Sequence, residues 1–598
     1  MKYHFSNQII NPEQIVADKV NYFADVFDYF LSYLGKPTFP NLENHKSLLE
    51  KIRFQLVNFS TYSTKYIHLY FKNNYLSSKD PLISEFYKKE WQSINFLKVG
   101  RIQKNRRKLL KEINQLITKF DKSLFINALS KIIDCIISKS KLENDRITYK
   151  LEYYTPIIIS EFIFSGFPKK DLEKLFDKIL STKVEIQNNK VKTDIPLPVS
   201  LLKLKYKTID KPDVFYNKIN SYLKTRTLQQ QFEGIYHLYK NSLKEKTFIF
   251  YMNNIRALHP IEIQIGDVRF TNQIKKENIT KKTTNKEYRT FFNEKGKLFV
   301  QTTLNENNDI IGKEKAVRRI NIAINYLNAC INKKAYLHQD DFIVRDSDQN
   351  VRHKSILIPL HSQDLEKLAD DNVYDILKDQ KSALIRRYFE LDKIYFYAIT
   401  SEFKENKVIN YWRFLESFFE SENYKSERII NSISSILSKN CQPQFIMDYY
   451  NLAFQILWPS YIRYPTKKGD ELNSYLEIPE NELRELMNSG PLDQIDFKRL
   501  NEILNHPFVN PKLEWILTTS NDQKANLAFE FYHNILSETF EQRNFIEHSG
   551  IYYDISLDKI LLSLPRIARD FRSLIVDELT KKQYKNFSDI VSTLNNKN

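Results

Sequence analysis

An arginine, an asparagine and a histidine near the C-terminus are the residues best suited to chemistry. They are Arg543, Asn544 and His548, within the stretch from Glu541 to Gly550. A histidine titrates near neutral pH, so it can take a proton from a ribose 2′-OH or give one to a leaving oxygen. A guanidinium forms a bidentate fork on phosphate and can stabilise a phosphorane-like transition state, and the amide can orient either group. These residue types are what RNA cleavage without a metal ion requires.

Two acidic residues could support this group. Glu547 neighbours His548, and Glu416 lies one step off an apolar helical stripe, from which it could orient Arg543 or His548. The ordinary alternatives are that Glu416 is an exposed surface carboxylate and that the Arg-x4-His pair is a coincidence in a long chain. His533, which precedes Arg543 on the same predicted helix, is interpreted as a structural or surface histidine.

A long helix must position these residues. We predict that it begins at about Asn526 and that Gly550 supplies the left-handed residue that ends it. The apolar positions at helical spacing are Leu527, Phe531, Ile535 and Leu536. On an unbroken helix, Arg543 and His548 point about 140° apart, so they converge only if the helix bends or stops between them. Gly550 is the residue that we expect to provide such a stop.

The signature itself resembles that of a known family. Arg543-Asn544-x3-His548 at a helix end, followed by Ser549 and Gly550, resembles the Arg-Asn-x3-His motif of HEPN-domain ribonucleases. It is particularly similar to the ApeA-like HEPN group of bacterial anti-phage and abortive-infection proteins. Relatives that act as toxins with a nucleotidyltransferase antitoxin carry a tyrosine two residues after the histidine. Gly550 occupies that position here, which argues against that subgroup.

Other parts of the C-terminal region resemble the same family. Residues 407–419 are similar to an earlier helix of the HEPN bundle, and residues 557–579 to its closing helix. The resemblance covers roughly residues 385–598. A weaker similarity, to the helix that precedes such domains, begins near Lys313. Its apolar positions are Ala316, Ile320, Ala323, Ile324 and Leu327.

The resemblance implies a metal-independent endoribonuclease of an anti-phage, abortive-infection or toxin-type system. His548 would act as general base or acid, Arg543 would stabilise the transferring phosphate, and Asn544 would orient them. Attack by the 2′-OH would leave a 2′,3′-cyclic phosphate and a 5′-OH, with no cofactor. The resemblance also implies a homodimer formed through the C-terminal bundle. The N-terminal parts would hold the nuclease inactive until a phage-derived protein or nucleic acid arrives.

Composition is compatible with an RNA partner. The net charge is +17, which attracts polyanions, and 14% of the residues are aromatic, which offers stacking partners for single-stranded bases. Solubility lysines of a Lys-rich host are the equally weighted alternative for the charge. Only 10 glycines are present, which favours long helices.

A basic run early in the chain is the weaker candidate for nucleic-acid binding. Its charges are Arg101, Lys104, Arg106, Arg107 and Lys108. These side chains cover most of the surface of a predicted helix, apart from a few apolar positions, and could bind a phosphate backbone. A solvated helix face is the slightly favoured alternative.

The chain is predicted to be mainly α-helical, with four regions. Residues 1–185 form an N-terminal helical domain, a sensor or scaffold, and residues 186–310 a small mixed or β-rich module. Residues 311–384 form a connecting helical region, and 385–598 a HEPN-like helical nuclease domain. The tail after Lys581 is basic and polar and is expected to fray.

Three segments of the middle module are predicted to be strands, from their β-branched and aromatic content or their alternation. They are residues 247–251, 261–265 and 297–302. The basic stretch 275–286 is predicted to be a loop. Asp340 and Asp341 are interpreted as part of a solvated turn, since the glycine and final glutamate of a calcium loop are missing.

The positions of the cysteines and the hydropathy of the chain argue against a zinc-binding, membrane-spanning or secreted protein. Cys135 and Cys330 lie in apolar runs and are expected to be small buried residues; with Cys441 they form no zinc-binding spacing. We therefore predict no metal site. No apolar run approaches about 18 residues and the N-terminus lacks a signal core, so a cytoplasmic protein is expected.

Two other functions are compatible with the same residues. The first is a non-catalytic RNA- or protein-binding defence component, in which Arg543 and His548 only bind phosphate or pack. The second is a DNA-directed defence component with the same basic surface. DNA lacks the 2′-OH, so a strict preference for RNA would separate the nuclease from the DNA-directed protein.

Overall fold

A computed structural model describes most of the 598 residues. The described residues are 2–5, 14–32, 34–36, 44–58, 80–95, 102–142, 145–167, 169–173, 175–176, 182–187, 190–193, 227–240, 244–256, 259–273, 291–292, 297–306, 309–331, 335–345, 350–354, 383–401, 403–422, 425–457, 480–490, 494–550, 552–581 and 584–596. Within them the protein is mostly helical, with an antiparallel sheet in the middle of the chain, as predicted.

The chain divides into two compact units. The first comprises Met1–Ser165, Lys169–Tyr236 and Asp375–Asn598, and the second Gly166–Pro168 and His237–Tyr374. The sequence-based division assigned residues 1–185 and 385–598 to separate domains, whereas most of both ranges lies in the first unit. Helices from the two ends of the chain bury aromatic side chains against each other there. Long-range packing of this kind leaves no local signal in the sequence.

The N-terminal part of the first unit is a set of helices. They are α1 (Gln14–Ser32), α2 (His45–Asn58), α3 (Pro81–Phe86), α4 (Lys88–Asn95), α5 (Ile102–Ile137), α6 (Asp145–Phe164), α7 (Lys169–Leu172) and α8 (Leu228–Lys240), the last turn of which belongs to the second unit. Three short strands also form an antiparallel sheet in the order β1-β2-β3: β1 (Lys2–Phe5), β2 (Thr182–Gln187) and β3 (Lys190–Thr193). The range 1–185, predicted to be all-helical, therefore contains strands at both ends.

The C-terminal part of the first unit is helical throughout the described residues. Its helices are α10 (Ala383–Thr400), α11 (Lys404–Glu416), α12 (Ser426–Lys439), α13 (Gln442–Leu457), α14 (Glu480–Asn488), α15 (Phe497–Leu504), α16 (Asn510–Thr518), α17 (Asn521–Ser549), α18 (Asp554–Lys581) and α19 (Phe587–Asn596), with a 3-10 turn at Ser417–Glu422. The predicted core stripe is confirmed, since Val408, Trp412 and Leu415 of α11 and Phe419 of the 3-10 turn are all buried. The stripe packs α11 into the bundle and thereby fixes the side chains on its other faces.

The second unit is built on a six-stranded antiparallel sheet in the order β5-β6-β7-β4-β8-β9. Its strands are β4 (Lys244–Arg256), β5 (Glu262–Ile265), β6 (Val268–Thr271), β7 (Lys297–Glu306), β8 (Tyr336–Arg345) and β9 (Asn350–Lys354). All three strands predicted from the sequence are present. The loop predicted at 275–286 lies outside the described residues. The range 311–384, predicted to be helical, contains β8 and β9.

One helix, α9 (Asp309–Ile331), covers this sheet. The five apolar positions from Ala316 to Leu327 that resembled a HEPN-preceding helix are buried here against strand residues such as Phe250 and Val300. Gly312 explains the close approach of helix to sheet. A Cβ at Gly312 would lie 2.2 Å from the ring of Phe248, so only glycine fits at that contact.

Three local expectations are corrected. Asp341 lies within β8, where its carboxylate holds Arg352 of β9 in a two-point ion pair, so it is part of a ladder and not of a turn. Cys330 is exposed, because it lies in the last turn of α9 on a side that the sheet does not cover. The tail after Lys581 forms helix α19, whose apolar side packs inward through Phe587, Ile590, Val591 and Leu594.

No described helix is both long and apolar enough to cross a membrane.

Candidate functional site

Helix α17 carries the Arg-Asn-x3-His motif in its last two turns. A capping box begins it: Ser520 accepts from the Gln523 backbone, and the Gln523 side chain reaches back to the Ser520 N–H. Gly550 ends it with φ +64°, and its N–H donates to Ile546 O at 3.0 Å. The predicted left-handed glycine stop is confirmed, while the helix begins at Asn521, about one turn before the predicted start.

Arg543 is held by two carboxylates. Its Nε lies 2.7 Å from Glu547 Oε2, one turn further along α17, and its Nη2 lies 3.8 Å from Glu416 Oε2 on α11. The Nε–H bond does not point along the shorter contact, so the pair is ionic and not a directed hydrogen bond. The side chain of Arg543 is 22% exposed. The Glu416 carboxylate thus reaches the motif helix while 32% of its side chain stays exposed, and its role in orienting Arg543 stays a prediction.

Arg413 completes the group, and sequence reasoning missed it. Its Nη2 donates to Glu547 Oε1 at 3.1 Å, so Glu547 bridges two arginines on neighbouring helices. The charged cluster therefore consists of Arg413, Glu416, Arg543 and Glu547. Partly exposed ion pairs contribute little stability, typically about 0–1 kcal/mol each. The cluster's effect is to set the direction of the Arg543 guanidinium. The signal in the sequence was the spacing of Arg413 and Glu416, one turn apart on a helix with a buried stripe.

Asn544 takes part in the same arrangement. Its Oδ1 accepts a hydrogen bond from Arg543 Nη1 at 3.0 Å. The asparagine therefore contacts the arginine, as an orienting residue would. Packing fixes the helix that carries both, since Phe540 of α17 lies 5.3 Å from the fully buried ring of Trp412.

His548 is not brought to Arg543. Helix α17 continues unbroken to Ser549, so the expected stop comes after the histidine and not between the two residues. The two side chains therefore leave the helix about 140° apart. The residue is exposed, and no hydrogen bond or ion pair joins its imidazole to another residue in the described part of the chain. One copy of the chain thus presents an anchored arginine and a solvent-facing histidine on different sides of one helix.

A second charged group lies just before the motif on α17, and the sequence analysis did not detect it. Glu538 Oε1 lies 2.9 Å from Lys51 Nζ of α2 in an ion pair, Oε2 accepts from Lys559 Nζ of α18 at 2.9 Å, and all three side chains are nearly buried. Burial alone would raise the pKa of Glu538, but the two lysines lower it below its usual range. One turn on, burial raises the pKa of Glu541, which accepts from Gln55 at 3.3 Å. The partners come from opposite ends of the chain, so no spacing pattern could reveal them.

Helix α2 extends this contact towards the motif. The ring of Phe54 lies 6.2 Å from that of Phe545 and 5.6 Å from that of Tyr553, and the Tyr553 hydroxyl donates to Glu50 Oε2 at 3.1 Å. The residue next to the candidate Asn544 is thus packed by an N-terminal helix. The N-terminal helices are therefore structural neighbours of the motif within the first unit.

The basic run begins beside the end of α2. Arg106 Nη2 donates to Val57 O at 3.2 Å, while Arg107 and Lys108 are exposed on α5. Arg101 lies outside the described residues, and so does the side chain of Lys104. The interpretations of the run as a phosphate grip and as a solvated face both remain predictions.

The second histidine of α17 lies apart from the motif. His533 stacks on Phe529 of its own helix, with ring centroids 5.7 Å apart, as a structural histidine would. Among the residues that the structure describes, no group of three or more His, Cys, Asp or Glu side chains is arranged to hold a metal ion.

Comparison with known proteins adds no relative. The chain matches no protein-family model, no curated protein and no solved structure. The assignment of a function therefore rests on the residues of α17 and their surroundings.

Proposed function

We propose that this protein is a metal-independent endoribonuclease effector, in which Arg543 and Asn544 bind the scissile phosphate and His548 transfers protons. The observation that carries the proposal is the charged cluster. It holds one guanidinium in a fixed direction beside an asparagine, on the same helix end as an exposed histidine. Those groups match the requirements of 2′-OH attack: a proton acceptor or donor near neutrality and a fixed positive charge for the phosphorane.

The separation of Arg543 and His548 on α17 bears on how the site is assembled. Since the unbroken helix directs them to different sides, we place two copies of the chain with their motifs face to face, so that Arg543 of one works with His548 of the other. The partner surface would be the C-terminal bundle. The products would be a 2′,3′-cyclic phosphate and a 5′-OH.

The N-terminal helices supply the second half of the proposal. Helix α2 packs on α17 through Lys51, Gln55 and Phe54, and its last residues contact the start of the basic run through Arg106. RNA bound along that run would lie next to the helix that carries the motif. A phage-derived protein or nucleic acid that displaced α2 would change the packing of α17 directly, which fits an anti-phage effector.

Cleavage of a labelled single-stranded RNA in EDTA tests the activity. Wild-type protein should give products with cyclic-phosphate ends, and His548→Ala should give none while still binding RNA. His533→Ala is the matched control, because it removes another histidine from the same helix and should cleave like wild type. An all-deoxy strand of the same sequence should stay intact, since it has no 2′-OH.

One experimental result would contradict the proposal that the protein is a nuclease. If wild type fails to cleave in EDTA, both alone and with lysate of phage-infected cells, while binding RNA as tightly as His548→Ala, the protein is a non-catalytic RNA-binding defence component. One observation favours that alternative: Arg543 already has ion-pair partners in Glu416 and Glu547, as in a packing contact.

A further inference from the structure

A concave cavity of ≈ 420 Å³ lies in the first unit, between α1, α6, α13, α16 and α17. Its volume falls within the roughly 300–1,000 Å³ range of small-molecule sites. The walls are largely aromatic, and the rings that matter most are Tyr29, Phe445, Tyr449, Phe508 and Trp515. Four of these are buried, whereas Trp515 is 38% exposed and stands at the rim. Such a lining suits a flat apolar ligand that stacks on rings.

One cation lines this aromatic cavity. Lys512 Nζ lies 3.5 Å from the centroid of the Phe508 ring and 5.1 Å from that of Tyr29, and it donates to Phe508 O at 3.2 Å. Burial lowers the pKa of Lys512 to about 8, although the charge of Glu152 opposes this shift. Within the described residues its ammonium takes part in no ion pair.

The two carboxylates that line the cavity already have partners. Asp448 Oδ1 lies 2.7 Å from Lys36 Nζ and accepts from Gln444 Nε2 at 2.5 Å. Glu152 accepts from the Tyr22 hydroxyl. Among the described residues, neither carboxylate of the cavity pairs with Lys512. A negatively charged group of a ligand could therefore form an ion pair with it.

We infer that this cavity binds a small, planar aromatic molecule with one acidic group, whose carboxylate or similar anion pairs with Lys512 while its ring stacks between Phe508, Tyr29 and Trp515. The ligand would enter past Trp515 and Leu527, two exposed apolar residues of the lining. The binding surface joins α1 and α6 from the N-terminal half to α13, α16 and α17 from the C-terminal half. A ligand there would therefore stabilise the association of the two ends of the chain.

This site is separate from the motif. Leu527 and Arg543 are both on α17, and at about 1.5 Å per residue they are roughly 24 Å apart along the helix. The inference consequently does not depend on nuclease activity. It concerns a binding property that can be measured on the full-length protein in the absence of RNA.

Calorimetric titration of the full chain with 2-naphthoate, 2-naphthamide and 2-naphthylmethylammonium tests the inference. The three probes share a ring system and differ in charge. We expect naphthoate to bind, to raise the melting temperature, and to bind at least about tenfold more tightly than the neutral amide, the ratio that one charge-assisted hydrogen bond gives. Affinity for naphthoate should fall as the pH rises above about 8, because Lys512 then loses its proton in the free protein.

Two variants and one control locate the probe. Lys512→Met keeps the apolar stem and should abolish the preference for acid over amide, whereas Lys512→Arg should retain it. Lys498→Met removes an exposed lysine from the neighbouring helix α15 and should behave like wild type. The inference is overturned if naphthoate gives no heat and no thermal shift up to about 1 mM. It is also overturned if wild type binds acid and amide equally, or if Lys512→Met keeps the preference.

Discussion

Glu538 shows how single side chains connect distant parts of this chain. Its two oxygens are shared between Lys51 and Lys559, which come from the N-terminal helix α2 and the C-terminal helix α18. A buried carboxylate between two buried ammonium groups leaves uncompensated charge whenever one member is lost. Glu547 makes the same kind of bridge nearer the surface, between Arg413 and Arg543. In both cases a carboxylate of α17 contacts a cation of a neighbouring helix, although the second cation of Glu547, Arg543, lies on α17 itself.

Replacement of Glu538 by glutamine should destabilise the first unit by about 3 kcal/mol or more, because two lysines remain buried without their anion. The pKa of Glu538 is lowered in the folded state, so its contribution is present above the unfolded value of 4.5 and is lost as the pH falls below it. The gap in urea midpoint between wild type and Glu538→Gln should therefore be widest near neutral pH and narrow under acid conditions.

Glu514→Gln is the matched control for that experiment, because Glu514 is exposed on α16 and should change the urea midpoint little at any pH. A gap for Glu538→Gln that stays constant on acidification would show that the lysines do not stabilise the ionised carboxylate.

At the scale of elements, α17 is organised by its two ends and by one long buried side. The capping box at Ser520 and the glycine at 550 define 29 helical residues, and the last turn carries His548. The left-handed Gly550 has open space around the position of a side chain, since nothing lies within 4 Å of an added Cβ. The requirement for glycine is thus conformational and not steric.

Gly550→Ala should cost about 1 kcal/mol, because alanine is strained at φ +64° while its methyl group meets nothing. Gly550→Asn should cost less, since asparagine tolerates the left-handed region. Urea denaturation of both variants measures the difference. Equal loss in the two would mean that the left-handed cap is not what ends α17.

Features that depend on residues close together in the sequence were largely predicted. Features that depend on contacts between distant residues were not. The end of α17 was predictable because a single glycine determines it, and the strands 247–251 and 297–302 because their side chains alternate or branch. The apolar residues of α19 were visible in the sequence, but the lysines before them suggested a frayed tail. Lys51, by contrast, pairs with a residue nearly the whole chain away, and no periodicity reports such a contact. Arg543, Glu547 and Glu416 were identified by their types and positions, but the contact of Arg543 with Glu416 and the contribution of Arg413 depend on the packing of α11 on α17.

At the scale of the whole molecule, the proposed activity depends on a second copy. Arg543 is anchored towards α11, while His548 leaves the same helix about 140° away. A symmetric pair of chains is the simplest assembly that lets the arginine of one copy meet the histidine of the other. The first unit, which contains both ends of the chain, would then be the part that pairs.

A heterodimer of Arg543→Ala and His548→Ala chains, isolated with two different tags, should recover activity that neither homodimer has. One of its two shared sites contains an intact arginine and histidine, so we expect about half of the wild-type cleavage rate. A heterodimer of Arg543→Ala with the double variant should remain inactive and is the control. If the mixed dimer has the correct size but is inactive, the arginine and the histidine of one site must come from the same chain.

The pairing of Gln55 with Glu541, 486 positions apart, also has a consequence for biosynthesis. At about 5–20 residues per second, a ribosome needs roughly 25–100 s to travel from one partner to the other. During that interval α2 has no α17 to pack on, and the nascent chain contains no motif. A ribonuclease assembled in this way would acquire its motif only once Arg543 to His548 have been translated, and a product terminated before them would lack the nuclease site.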